Sequence, residues 1–170
     1  MRGVESTGIG TSMYNFKIVT DEKKLRKVSE LYDDIPAAID LGKQLLSFLG
    51  TTQNGVGLAA PQVGIQKKVC VVNVRKPIIL VNPRIISKFK RIAFPEGCLS
   101  FPGESVITQR YANIAVKADN HPNTLFFNCD DNALECVCVQ HEIDHLEGVL
   151  MHDRRIALDN EKNVFIIEEK

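Results

Sequence analysis

The order of predicted elements favours an α+β fold: a first helix is followed by several strands and then by a second helix, without a βαβ repeat. Apolar residues at three- and four-residue steps predict the first helix, and short apolar runs separated by prolines predict the strands. A chain of 170 residues suits one domain, and its 44% apolar residues can form a core without disulfides. We therefore expect a single domain over residues 13–170.

The first predicted helix begins at Asp33 or Asp34, because these side chains are good N-caps and Pro36 follows them. Gly50 is a suitable end for this helix. The next segment, GVGLAAPQVG (55–64), is too rich in Gly and Pro for the interior of a helix or strand. We interpret it as a shaped loop.

Four apolar runs after this loop predict β-strands: VCVVNV (69–74), IILVN (78–82), NIAVKA (113–118) and TLFFNC (124–129). The pattern becomes helical again from Ala133 to about Gly148. NVFII (163–167) is compatible with a short strand or with the start of a helix. Residues 1–12 are small, polar and without periodicity, which predicts a disordered or artificial extension outside the domain.

The charge and cysteine content exclude several classes of protein. Lys and Arg number 21 and so do Asp and Glu, which is not the basic composition of a nucleic-acid-binding domain. The sequence contains no apolar run of roughly 20 residues that would span a membrane, and no secretory signal is evident. Five irregularly spaced cysteines indicate free thiols in a reducing compartment. We therefore expect a cytoplasmic protein without nucleic-acid or membrane partners.

The segment QHEIDHLEGVL (140–150) carries the clearest chemical signal. His141 and His145 are separated by one helical turn, so both imidazoles can reach one divalent cation. Glu142 lies beside the first histidine and can exchange a proton with a water held by that cation. The alternative is a helix that carries two histidines without binding a metal.

A catalytic metal site usually has three protein ligands, and the third ligand is not obvious from the local sequence. Met151 occupies the position at which one class of metalloprotease has its third histidine. His152 lies one residue further along the chain than that position. A downstream carboxylate such as Glu161 is a second possibility. We favour Cys98 in PEGCLSFPG (95–103), because a Cys/His/His set leaves one position open for a water whose pKa falls to about 7.

Three segments together resemble the peptide deformylase family: GVGLAAPQVG (55–64), EGCLS (96–100) and QHEIDHLEG (140–148). The family has motifs of the form G-x-G-x-A-A-x-Q, E-G-C-x-S and Q-H-E-x-D-H in this order, and all three are complete here. The resemblance implies antiparallel β-sheets packed around a central helix that carries the HEIDH motif. It also implies an enzyme that removes the formyl group from N-terminal formylmethionine and releases formate.

The resemblance assigns a metal site and a base. Cys98, His141 and His145 would bind one divalent metal, Fe²⁺ in the family, with Zn²⁺, Ni²⁺ or Co²⁺ as substitutes. Glu142 would be the general base and acid, with metal-bound hydroxide attacking the formyl carbon.

The resemblance also assigns the groups that surround the reacting amide. The side chain of Gln62 and the backbone N–H of Leu99 would stabilise the negative charge on the formyl oxygen, and the carbonyl of Gly57 would accept the formamide N–H. Asp144 needs a cationic partner if its carboxylate lies in a part of the site from which water is excluded. We expect Arg110 to be that partner.

Helix geometry predicts an apolar substrate pocket. Leu134, Val137 and Cys138 lie seven, four and three residues before His141, so they share the surface that leads to the metal. With Val56 and Phe94, they would form a slot for an unbranched side chain such as methionine. Packing in the core is the alternative for these residues.

Other functions stay open at this stage. The site could belong to an H-E-x-x-H endopeptidase, or to a metal-stabilised binding protein without activity. The expected substrates are nascent or released N-formylmethionyl peptides. Some family members contact the ribosome through a basic C-terminal helix, but NVFIIEEK (163–170) is not basic, so this contact is not carried over.

Overall fold

The computed structural model describes residues 15–158 and 164–166. Within this part of the chain the α-helices are α1 (Glu22–Leu25), α2 (Ile35–Leu49) and α3 (Cys129–Leu146), and short 3-10 helices cover Ala60–Val63 and Met151–Arg154. The strands are β1 (Gly57–Ala59), β2 (Val69–Asn73), β3 (Pro77–Val81), β4 (Arg84–Cys98), β5 (Phe101–Lys117), β6 (Leu125–Asn128), β7 (Ile156–Leu158) and β8 (Val164–Ile166). None of the described helices is long and apolar enough to cross a membrane. The predicted extension, residues 1–12, lies outside the described residues.

The strands form three antiparallel sheets in the orders β1-β2-β3, β4-β5-β6 and β7-β8. Helix α3 contacts β1 and β2 of the first sheet and β5 and β6 of the second. Its buried residues share one apolar core with side chains from both sheets. The predicted α+β fold with antiparallel sheets around a central helix is therefore confirmed. The five cysteines, all described, are free thiols.

Helix α2 agrees with its prediction at both ends. The Asp34 side chain accepts a hydrogen bond from the Ala37 N–H at 3.1 Å, and Gly50 is the C-cap. Residues 55–64, in contrast, are only partly a loop. Leu58 and Ala59 are fully buried in β1, because this strand pairs with β2, a contact that local sequence does not reveal.

The long hairpin of β4 and β5 was not predicted. Its strands have 15 and 17 residues, and most of β4 is exposed, so the apolar alternation that marks a half-buried strand is missing. The predicted strand 113–118 is only the end of β5. Pro95 and Pro102, interpreted as breaks, lie within these two strands near a shift in their register.

Helix α3 has two N-caps. Asn128 caps its first turn, and the backbone then leaves the helical region at Asn132 (φ −161°, ψ 105°), whose side chain accepts a hydrogen bond from the Glu135 N–H at 2.9 Å. The predicted start at Ala133 therefore coincides with the second cap. The regular part of the helix that carries the HEIDH motif follows this cap.

The end of α3 is a Schellman motif around Gly148, which has φ +71°. The N–H groups of Gly148 and Val149 donate to the carbonyls of His145 at 3.2 Å and Asp144 at 2.9 Å. A Cβ atom on Gly148 would also collide with the backbone oxygen of Arg26. This turn therefore fixes the end of the helix against the N-terminal segment.

We expect Gly148→Ala to lower the free energy of unfolding by more than about 1 kcal/mol, because it combines an unfavourable φ with a backbone collision. Gly103→Ala is the matched control, since Gly103 has φ +79° but no heavy atom within 4 Å of the added Cβ. Urea denaturation of both variants measures the difference. Equal losses of stability would show that the collision with Arg26 contributes nothing.

Candidate metal centre

Cys98, His141 and His145 bring together three atoms that could bind a metal ion. Cys98 is the last residue of β4, and the two histidines lie one turn apart on α3. The Nε2 atoms of His141 and His145 are 3.2 Å apart, and the Sγ atom of Cys98 is 3.4 Å from His145 Nε2. The three ligand atoms all lie within 4.8 Å of one another. The fold thus brings together the three residues proposed from the sequence.

The alternative third ligands do not join this group. His152 hydrogen-bonds to Glu104 at 2.9 Å, and Met151 is buried at 2% exposure. Glu161 lies outside the described residues. Cys98 is therefore the third donor that the described part of the chain supplies.

His141 is oriented as a metal ligand would be. His141 Nδ1 lies 2.7 Å from Glu96 Oε1, so this nitrogen donates its proton to the carboxylate and leaves the Nε2 lone pair directed at the other donors. The Nδ1 atom of His145 is buried and has no hydrogen-bond partner among the described residues. Two imidazoles and a thiol suit Fe²⁺ or Zn²⁺, so the residues present fit a divalent metal.

The two histidines have opposite pKa shifts. Burial and the neighbouring His141 lower the pKa of His145 well below its usual value, which favours the neutral form. Burial alone would lower the pKa of His141, but the Cys98 thiol and the carboxylates of Glu142 and Glu96 outweigh it and raise the pKa. A cation at this point would displace the proton from His141, because both compete for the same lone pair.

A buried ion-pair network holds Glu96, the carboxylate that contacts His141 Nδ1. Arg110 binds both carboxylate oxygens of Glu96, through Nε at 2.5 Å and Nη2 at 2.8 Å, and its Nη1 lies 2.5 Å from Asp144 Oδ2. The Thr108 hydroxyl also donates to Glu96. The pair of Arg110 with Asp144 is the contact expected from the sequence.

The sequence interpretation missed the part played by Glu96. Burial alone would raise the pKa of its carboxyl, but hydrogen bonds from Arg110 and His141 outweigh burial and lower the pKa to about 2. Glu96 is thus held ionised as an acceptor for the imidazole. No signal for this contact was present in the sequence, because no strand was predicted at Glu96 and its partners His141 and Arg110 are distant in the chain.

Glu142 is buried at 3% exposure beside the three donors. Its Oε1 atom has no hydrogen-bond partner among the described residues, and Oε2 lies 3.9 Å from the Cys138 thiol. Burial raises the pKa of this carboxyl to about 7. A Cβ atom on Gly57 would be 2.5 Å from both Glu142 Oε2 and Cys138 Sγ, so only glycine fits against this carboxylate.

Gln62 has a fixed orientation. Its Oε1 atom accepts a hydrogen bond from the Ala59 N–H at 3.0 Å, which directs Nε2 towards Ser100 Oγ at 3.2 Å and Cys98 Sγ at 3.4 Å. The amide N–H groups therefore face the candidate metal site. Ser100, which the sequence analysis did not select, is one of the three contacts of this side chain.

A pocket of about 390 Å³ is lined by two of the three donors, Cys98 and His141, and by Glu142. Every residue predicted to contact substrate lines it: Val56, Gly57, Phe94, Leu134, Val137 and Cys138. Leu134 is 43% exposed, whereas Val137 and Cys138 are buried. The pocket thus runs from an open mouth to an apolar interior beside Glu142.

The fold and site together define an α+β hydrolase with a candidate metal centre. The profile of the polypeptide deformylase family matches residues 16–162, so the chain belongs to this family. Members of this family are metalloenzymes that act on formylated new polypeptides.

Individual relatives agree with this assignment. The chain is 47% identical over 102 residues to the peptide deformylase of Desulfitobacterium hafniense, covering 59% of this chain and 67% of the relative. It is 35% identical to peptide deformylase 1 of Vibrio vulnificus, covering 80% and 83% of the two chains. The solved structure of a probable peptide deformylase from Synechococcus phage S-SSM7 superposes with a TM-score of 0.73 at 35% identity, covering 82% of this chain and 99% of that one.

Proposed function

We propose that this enzyme removes the formyl group from N-terminal formylmethionine with one divalent metal ion bound by Cys98, His141 and His145. The observation that carries the proposal is the convergence of these three donors beside a buried, unpaired carboxylate and an apolar pocket. Fe²⁺ is the metal we expect, with Zn²⁺, Ni²⁺ or Co²⁺ as substitutes. When bound, the metal would polarise the formyl carbonyl and lower the pKa of a water.

Glu142 is proposed to move the proton. A carboxyl with a pKa of about 7 can accept a proton from water and return it to the departing amine near neutral pH. Its burial against Gly57 keeps it away from bulk solvent. Formate and a free N-terminus are the products.

Gln62, Leu99 and Gly57 are proposed to hold the reacting amide. The Nε2 group of Gln62 would donate to the formyl oxygen as its negative charge develops, together with the backbone N–H of Leu99 in the turn after Cys98. The carbonyl of Gly57 would accept the formamide N–H. The contact between Gln62 and Ala59 supports this role, because it holds the donor in place before substrate binds.

The apolar interior of the pocket is proposed to accept the methionine side chain. Val137 and Cys138 on α3 line it together with Val56 and Phe94. An unbranched thioether adapts well to such a slot. The proposed substrates are nascent or released peptides in the cytoplasm, and contact with the ribosome is not part of the proposal.

The direct test is formate release from formyl-Met-Ala-Ser by anaerobically purified protein with its metal content measured. We expect release that stops when a chelator removes the metal and returns when Fe²⁺ is restored. Metal-loaded protein that releases no formate would contradict the proposal. Cleavage of internal peptide bonds in unformylated peptides would instead favour an endopeptidase.

Gln62→Leu is expected to lower kcat about 10²- to 10³-fold, because it removes a preorganised donor while keeping a similar volume. KM for formyl-Met-Ala-Ser should change much less, since the lost hydrogen bond strengthens in the transition state. Steady-state kinetics of the metal-loaded variant measure both values. An unchanged kcat would exclude Gln62 as the donor.

A further inference from the structure

The mouth of the pocket is bordered by an irregular segment at the start of β5. The register of β4 and β5 shifts between Glu96 and Cys98, so that residues 102–105 of β5 have only Gly97 opposite them. Such bulges bend a strand and change the direction of its side chains. Glu104 belongs to this segment and lines the pocket.

The carboxylate of Glu104 is exposed but held in place. Its Oε1 atom lies 2.9 Å from Nε2 of His152, and 52% of its side chain is accessible. The His152 ring in turn stands against the Phe101 ring, with centroids 4.7 Å apart and an interplanar angle of 72°. Phe101 also lines the pocket, so the carboxylate is anchored to the pocket wall.

Glu104 is the exposed charged residue among the described residues that line the pocket. Among the described residues that line the pocket, none is a lysine or an arginine. Glu96 is balanced by the bidentate contact with Arg110, and Glu142 lies buried beside the metal-binding residues. A peptide that leaves the pocket therefore meets a negative charge with no lining cation to balance it.

We propose that Glu104 is a specificity-determining residue that favours substrates with lysine or arginine in one of the two positions after formylmethionine. This inference rests on the proposed function. With methionine in the apolar interior, the next residues pass the mouth, because each extended residue advances the chain by about 3.3 Å. Lysine and arginine side chains are long enough to meet a carboxylate on the wall of that mouth.

We expect the charge of Glu104 to have a moderate effect on kcat/KM. An exposed ion pair changes affinity by about two- to fivefold, and like charges have an opposite effect of similar size. We therefore expect wild-type kcat/KM to be about four- to twenty-five-fold higher for a lysine peptide than for the matching glutamate peptide, since the two effects multiply. The ratio should fall towards one in about 1 M salt, because exposed charges are then screened.

The test compares formyl-Met-Lys-Ser with formyl-Met-Glu-Ser, and formyl-Met-Ala-Lys with formyl-Met-Ala-Glu, at low ionic strength. Wild-type protein, Glu104→Gln and Glu104→Lys are assayed by formate release, and each lysine-to-glutamate ratio of kcat/KM is recorded. Glu30→Gln is the matched control, since Glu30 is also exposed and paired, with Lys67 at 3.1 Å, but does not line the pocket.

The proposal expects one of the two ratios to approach one in Glu104→Gln, to fall below one in Glu104→Lys, and to be unchanged in Glu30→Gln. Equal ratios in wild type and Glu104→Lys would overturn it, even if all peptides are deformylated. If metal-loaded wild-type protein releases formate from none of the four peptides, the proposed function itself fails. These outcomes separate an error about Glu104 from an error about the reaction.

Discussion

Glu142→Ala is expected to lower kcat for formyl-Met-Ala-Ser by about 10²- to 10⁴-fold, which is the usual contribution of a positioned general acid or base. The physical reason is the position of the carboxylate, which is buried, adjacent in sequence to the proposed metal ligand His141, and free of a hydrogen-bond partner at Oε1 among the described residues. The metal content should stay the same, because Glu142 is not one of the three donors that converge.

Glu142→Gln is the stricter version of this experiment, because it keeps the size of the side chain and removes its ability to accept a proton. Burial of the Glu142 carboxylate costs free energy in the native protein, so neither substitution should cause unfolding. Formate release, metal content and urea denaturation should therefore be measured on the same samples. A stable, metal-loaded Glu142→Gln enzyme within tenfold of wild-type activity would exclude Glu142 as the base.

The sequence predicted the parts of the site that depend on local geometry. His141, Glu142 and His145 are placed by the helical repeat alone, and the capping residues Asp34 and Gly50 fix the bounds of α2 in the same way. Propensity and spacing are sufficient for such features because the partners are at most a few residues apart.

Other features depend on strand pairing and were not visible in the sequence. Glu96 contacts Arg110 across 14 residues because β4 and β5 pair, and it contacts His141 across 45 residues because α3 packs against this hairpin. Most of β4 is exposed, and buried positions of β5 include the polar residues Thr108 and Arg110, so the hairpin lacks the apolar alternation by which strands are recognised. The same pairing creates the irregular segment that carries Glu104, so its place at the pocket mouth also became evident only from the fold.

Arg110→Ala is expected to destabilise the protein by about 3–5 kcal/mol, because it leaves the buried carboxylate of Glu96 without its cationic partner. Burial alone would lower the pKa of Arg110, but the two carboxylates outweigh it and raise the pKa, so the guanidinium is charged in the native protein. Loss of this charge also removes the support of His141, and metal should be lost more readily on dialysis.

Arg154→Ala is the matched control, since both arginines bind the carboxylate of Asp144. Arg154 lies 3.1 Å from Asp144 Oδ1, but 43% of its side chain is accessible, compared with 3% for Arg110. An exposed pair of this kind contributes about 0–1 kcal/mol. Urea denaturation and metal retention of the two variants should therefore differ strongly. Equal effects would mean that the Asp144 contact, rather than the buried pair of Arg110 with Glu96, stabilises helix α3.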